Sequence, residues 1–352
     1  MRIIVQQRPP GIALIIVMMV IVVLGILAAG LAYSMKVEMK LARNVDSESD
    51  MEWLGRSGVE LARYVLAQQL NIPGEAGFDA FNQKWAGGLG DTNDLLADIS
   101  LENNQLGRGK FSVKIIDLES KVNINFADPP MIERALLLMG VDSFDSSIVR
   151  DSILDWREPG LNPRMNGAKS DFYLAQSPAY VAKEGPFDDV SELLLVKGVT
   201  EEMYWGAAGA NRSRQLGSRS VLGADPTVSA GLVDLFNTVG RLRINLNTAS
   251  KEVLQLLPGI DPNLAEGIIK LRAGLDGVDG TEDDTPLQSP RWLINVPGIN
   301  PMLNSQVERF ADVRSNTYEA QVDVELDGYK RRLVALLLKA PRDVQVLNMH
   351  WD

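Results

Sequence analysis

Five carboxylates crowd one short loop of this chain: Asp276, Asp279, Glu282, Asp283 and Asp284, spaced by Gly277 and Gly280. Glycines let such a loop wrap tightly and calcium takes six to eight oxygen ligands, so the five are candidate calcium ligands. The spacing is not that of an EF-hand, which needs acids at its first, third and fifth positions and a glutamate at the twelfth. An exposed, solvated acidic loop is the alternative. Asp151 and Asp155, one helical turn apart, read as a solvated helix face. The remaining chemistry is sparse. There is no cysteine, which excludes thiol catalysis, disulfides and Cys-ligated zinc. The one histidine, His350, is two residues from the end of the 352-residue chain, so histidine catalysis would have to run from a tail. With no nucleophile-base pair or metal triad in view, the chain reads as a non-enzyme. No cofactor is required, and calcium is admissible only at the acidic loop.

The more informative chemistry lies at the N-terminus. Gly11 to Tyr33 is an uncharged apolar run behind a ten-residue leader that carries Arg2 and Arg8. At 1.5 Å per residue, about 20 such residues cross a hydrocarbon core of roughly 30 Å. Ala28-Ala29-Gly30 has the small residues of a signal-peptidase site, but it lies inside the apolar run, and the helical pattern continues past Tyr33. A glycine directly before the apolar run fits a cut between Gly11 and Ile12 that leaves the hydrophobic helix on the mature chain. This arrangement resembles a prepilin signal, in which a dedicated peptidase removes the basic leader and the new terminal amine is methylated.

From Ser34 to Leu70 the pattern becomes amphipathic. Leu41, Val45, Trp53, Val59, Leu61, Val65 and Leu66 interleave with Lys36, Glu38, Lys40, Asp46, Glu48, Glu52 and Arg63, and no proline follows until Pro73. One long helix is expected over 12–70, with 12–33 in the membrane and the remainder packed on a folded domain. Pilin-like subunits resemble one another in placing a glutamate at the fifth residue after the cut, where it pairs with a neighbour's terminal amine. That position is Ile16 here. A buried carboxylate is costly unless paired, so an apolar residue suits a subunit with no neighbour above it, at the tip of a fibre.

The formal net charge of −11 disfavours polyanionic partners, nucleic acid included. Two segments read as sheet. Lys110 to Asn125 alternates through Phe111, Val113, Ile115, Val122 and Ile124 around a Glu119-Ser120 turn, and Tyr318–Leu326 and Tyr329–Leu338 flank Asp327-Gly328, a type I′ hairpin pair. Placing these strands in one sheet makes the intervening region an insertion whose ends meet. The domain division is a leader 1–11, the helix 12–70, a β domain from 71–125 and 311–345, and a helical insertion 126–310.

That insertion is internally duplicated. Asn123-Ile124-Asn125-Phe126-Ala127 returns as Asn245-Leu246-Asn247-Thr248-Ala249, and the run Leu193 to Val199 returns as Leu293 to Ile299. Each copy reads as two short helix-turn-helix units with Gly just past a helix end. Leu257-Pro258-Gly259-Ile260 and Val296-Pro297-Gly298-Ile299 resemble the helix-hairpin-helix motif of DNA-binding proteins. Where those carry a second glycine for close phosphate approach, this chain has Asp261 and Asn300. A membrane-anchored DNA-binding or DNA-uptake protein is therefore the alternative function, and a protein-contact domain is favoured.

Taken together, the Gly11/Ile12 junction, Ile116-Asp117-Leu118 before Asn123-Ile124-Asn125, Ile153-Leu154-Asp155-Trp156, Gly167-Ala168 before Asp171-Phe172-Tyr173, Glu192-Leu193, and Ile244 through Ala249 carry a resemblance to the K-type minor pseudopilins of type II secretion systems. Two positions depart from the family pattern: Arg157-Glu158 and Lys169 stand where acids are common, which weakens an ion-binding role for that loop. The resemblance implies an α+β fold, a pilin-like long helix on an antiparallel sheet with a large all-α insertion of duplicated helix-hairpin, SAM-like units. It implies a single-pass protein of the Gram-negative inner membrane with a periplasmic C-terminal domain, incorporated into a periplasmic pseudopilus. Its implied partners are the I-type and J-type minor pseudopilins, other pseudopilins and the prepilin peptidase. Its implied role is to initiate the pseudopilus from the tip and support export of folded proteins across the outer membrane. Pseudopilins also resemble one another in ordering loops with calcium.

Overall fold

A computed structural model describes residues 11–88, 96–206 and 230–352; side chains of 11–13 and 40–46 lie outside the described set. The chain opens with one helix, α1 (Gly11–Gln69), which ends before Pro73. In its second half, Met51, Leu54, Val59, Ala62, Val65 and Leu66 are buried, the three-and-four spacing that lines one side of a helix. That side lies on a five-stranded antiparallel sheet in the order β1-β2-β7-β8-β9, with β1 (Asn104–Leu106), β2 (Gly109–Asp117), β7 (Thr317–Leu326), β8 (Tyr329–Lys339) and β9 (Val344–Trp351). Phe111, Val113 and Ile115 alternate inward on β2, as Tyr318, Ala320, Val322 and Val324 do on β7. Gly55 and Gly58 make the close contact possible: a Cβ on Gly58 would lie 2.3 Å from Val322 Cγ1. Asp327 and Gly328 both have positive φ, as a type I′ hairpin demands, and Leu326 pairs with Tyr329 across it.

Between β2 and β7 runs the helical insertion, with its own core. Two short parallel strand pairs close its two copies. β3 (Val122–Asn123) pairs with β4 (Phe236–Asn237), and β5 (Ile244–Asn245) pairs with β6 (Ala311–Asp312). Within the first copy come α2 (Pro129–Leu138), α3 (Ser143–Arg157), α4 (Ser170–Leu174), α5 (Glu201–Trp205) and α6 (Leu232–Leu235). The second holds α7 (Lys251–Leu254), α8 (Pro262–Arg272) and α9 (Pro301–Val307). The turns before α3, α5, α8 and α9 each use a glycine at positive φ, Gly140, Gly198, Gly259 and Gly298, a backbone shape that disfavours any side chain.

The structural repeat is as close as the sequence repeat. Asn125 clamps the backbone of Phe187, donating to its carbonyl at 3.0 Å and accepting from its N–H at 2.7 Å. Asn247 does the same to Leu287 at 3.0 and 2.8 Å. Arg157 donates to the carbonyls of Ile124 and Ala127, and Arg272 to those of Leu246 and Ala249. Each guanidinium thus supplies donors to a turn that has left the sheet.

Several boundaries differ from the sequence reading. Lys110 to Asn125 is not a hairpin: Asp117 accepts the Glu119 N–H and caps a 3-10 turn, Leu118–Ser120, after which Val122 and Asn123 pair with β4 in the insertion. Alternation marks extended backbone but not which sheet it joins. The insertion accordingly begins at β3 and closes at β6, and the sheet extends past 345 through β9, an edge strand with a bulge opposite Leu336 and Leu337.

Candidate assembly arm and the joint that carries the insertion

The described side chains in the first half of α1 are all exposed. From Leu14 to Met39 it is a 26-residue stretch long and apolar enough to cross a membrane, and none of it is buried; among the described residues it is the one such helix. Ile16 lies in this stretch, more than half exposed at 56%. Gly11 opens the helix, while the leader 1–10 lies outside the described residues. A bare apolar rod continuous with a docked half can insert in lipid or pack against other helices without unfolding the domain that carries it.

The insertion is held to the sheet by a buried polar joint. Asp117, at the end of β2, accepts from Ser315 Oγ at 2.6 Å, Thr248 Oγ1 at 2.5 Å, Asn245 Nδ2 at 3.1 Å and the Glu119 N–H at 2.8 Å. Asp79, from the loop after α1, accepts the Ser315 N–H at 2.8 Å and pairs with Lys339 of β8, whose Nζ also reaches Tyr318 Oη at 2.9 Å. Glu119 Oε1 accepts from the Asn316 N–H at 3.1 Å and Thr317 Oγ1 at 3.2 Å. Burial pushes the carboxyls up, Asp117 to about 6 and Glu119 to about 7, and lifts the Tyr318 phenol above its ordinary range. Asn245 and Thr248 thus act outside their own turn, binding the second copy to the sheet. Asp79, Ser315 and Lys339 escaped sequence reasoning because they are isolated polar residues up to 260 positions from their partners.

Most carboxylates of the acidic loop are engaged with the chain's own groups. Asp279 pairs with the buried Arg272 through two hydrogen bonds, at 2.9 and 2.7 Å. Asp283 accepts the N–H groups of Leu275 and Asp276, Asp276 that of Val278, and Asp284 that of Gly280, while Glu282 is exposed. Among the described residues no group of three or more acids, histidines or cysteines is placed to hold a metal. Glycines and carboxylates in this pattern serve the loop's own backbone.

Asp151 and Asp155 correct the sequence reading. They are buried, not solvated: Asp155 Oδ1 and Oδ2 take Arg164 Nη1 and its N–H, both at 2.9 Å, and Asp151 pairs with Arg150 at 2.8 Å. Arg164 also meets Glu158 at 2.6 Å, and Lys169 donates to the carbonyls of Asp155 and Glu158 at 2.7 and 2.5 Å. Gly167 follows from this packing, since a Cβ there would stand 1.9 Å from Asp155 Oδ2. The charges that order the loop belong to the chain itself.

The helix-hairpin segments present occupied helix starts. Asp261 accepts the N–H groups of Asn263 and Leu264, both at 2.8 Å, and Asn300 that of Leu303 at 2.9 Å. The amides a phosphate would need are already bonded, and at Asp261 a carboxylate stands in its place.

Comparison with known proteins agrees with this geometry. Residues 109–207 match the family model for the first domain of type II secretion system protein K. Over those residues the chain is similar to protein K. The second copy, residues 239–311, matches the helix-hairpin-helix motif model. Type II secretion system protein K of Pseudomonas aeruginosa is 28% identical over 288 residues, 78% of this chain and 75% of that protein. The Aeromonas hydrophila protein K is 22% identical over 95% of this chain and 94% of its own length. In structure, a chain of the crystallised GspK-GspI-GspJ complex from enterotoxigenic Escherichia coli aligns with a TM-score of 0.63 at 15% identity, over 88% of this chain and 99% of that one. The protein K resemblance and the α+β architecture read from the sequence are both borne out.

Proposed function

We propose that this chain is a minor pseudopilin that caps and initiates a type II secretion pseudopilus and so supports export of folded proteins across the outer membrane. The observation that carries the reading is the division of α1: an entirely exposed apolar half continuous with a half docked on the sheet. A rod of that kind suits an assembly element, and the likeness to protein K relatives supports the type II secretion system as the machine. Ile16, in place of the pairing glutamate, supports the tip position, as does the bulk of the insertion, which is too wide to repeat along a thin fibre. The role is structural rather than enzymatic. Its partners are the I-type and J-type minor pseudopilins, a pairing supported by the composition of the matched complex, together with other pseudopilins. Processing by a prepilin peptidase between Gly11 and Ile12 precedes assembly, and α1 sits in the inner membrane until then with the remainder in the periplasm.

Co-expression of the full chain with I-type and J-type pseudopilins from the same system tests this. A stable ternary complex extracted in detergent is expected. Its absence, together with DNA retardation by the same preparation at low salt, would favour the DNA-uptake alternative.

A further inference from the structure

We infer that Glu119 is held as the neutral acid in the joint between sheet and insertion, and that its ionisation weakens that joint. Three carboxylates converge there, Asp79, Asp117 and Glu119, each no more than 4% exposed, against one buried ammonium, Lys339. Were all three ionised, the joint would bury two uncompensated negative charges. The partners are not shared evenly. Asp79 has Lys339 and a backbone N–H, and Asp117 has four donors. Glu119 has two long bonds to one oxygen, and among the described residues its Oε2 is buried with no partner. An ionised oxygen in that position would lack both solvent and donor, so Glu119 is the carboxyl at which a proton is most favoured.

The groups around it reinforce this. Asp117 on the same turn and Asp79 beyond it are acids, with Tyr318 and Lys339 on the far side; Arg241, which draws the carboxyl down, is itself solvent-exposed. Gly240 lies beside the side chain, since a Cβ added there would stand 3.2 Å from Glu119 Cγ. Glu119 therefore bonds the strand return at Asn316 and Thr317 and lies beside the link between the two insertion copies. Burial, its largest influence, pushes the carboxyl up to about 7. A carboxyl raised by folding contributes its stability in full below the ordinary carboxylate range and loses it as pH rises through the folded value. The joint should accordingly be tightest in mild acid and weaken toward alkaline pH.

Thermal unfolding of the full chain in detergent, compared with Glu119→Gln between about pH 5.5 and about pH 8.5, reads the effect. The wild type is expected to lose about 2–6 °C in Tm relative to the variant across that range. Parallel pH profiles would overturn the inference. Infrared difference spectra of wild-type chain carrying 13C-labelled glutamate provide a reading independent of whether the variant folds. A protonated glutamate carbonyl band that disappears near neutrality is expected, and a glutamate pool fully ionised at about pH 6 would overturn the proposal.

Discussion

Asp279 holds the guanidinium of Arg272, which is 4% exposed and itself supports the carbonyls of Leu246 and Ala249. Removing the partner of a buried charge costs about 3–5 kcal/mol when both are buried, and the 28% exposure of Asp279 trims this to about 1–3 kcal/mol. Asp279→Ala should lose that much in denaturant unfolding of the full chain, and added calcium should not restore it; full rescue by calcium would show that the loop binds the ion instead. Single residues were unevenly legible in the sequence. Asp276 to Asp284 was visible as an acidic cluster, but not its partner Arg272, since a helix-end arginine looks like any other. Asp151 and Asp155 read as solvated because their loop partners, the Asn166 N–H for Asp151 and Arg164 for Asp155, arrive from a segment that carries no periodic pattern.

At the scale of elements, the docking of α1 turns on two glycines in its buried face. Gly58→Ala would gain about 1 kcal/mol of helix propensity but drive a Cβ to 2.3 Å from the stiff Val322 side chain, an overpacking cost of about 1–3 kcal/mol. A net loss of Tm is expected, whereas Gly25→Ala, with nothing within 4 Å, should lose none; an increase in Tm for Gly58→Ala would contradict the close contact. The clamp asparagines make a matching test of the duplication. Asn247→Ala leaves the Leu287 N–H and carbonyl without partners and should cost about 2–4 kcal/mol, with Asn125→Ala similar or smaller, by urea unfolding. The repeated Asn-x-Asn turns and glycine turns were legible because each copy repeats short-range chemistry. The exit of the chain from the sheet at Asp117 was not, because Val122 alternates as well in one sheet as in another.

At the scale of the molecule, a membrane-length arm, a pilin-like sheet and a duplicated insertion are joined in one chain, and the arm is the part on which the proposed function rests. The apolar run was the most legible feature of the sequence, since length and composition alone specify a span. The joint that sets the insertion on the sheet was the least legible, because Asp79, Asp117, Ser315 and Lys339 meet only through the fold. Intact mass of the chain purified from membranes that contain a prepilin peptidase tests the central claim most directly. A mature chain beginning at Ile12 and carrying one added methyl group is the predicted result; a chain still beginning at Met1, or cut after Ala29, would contradict it.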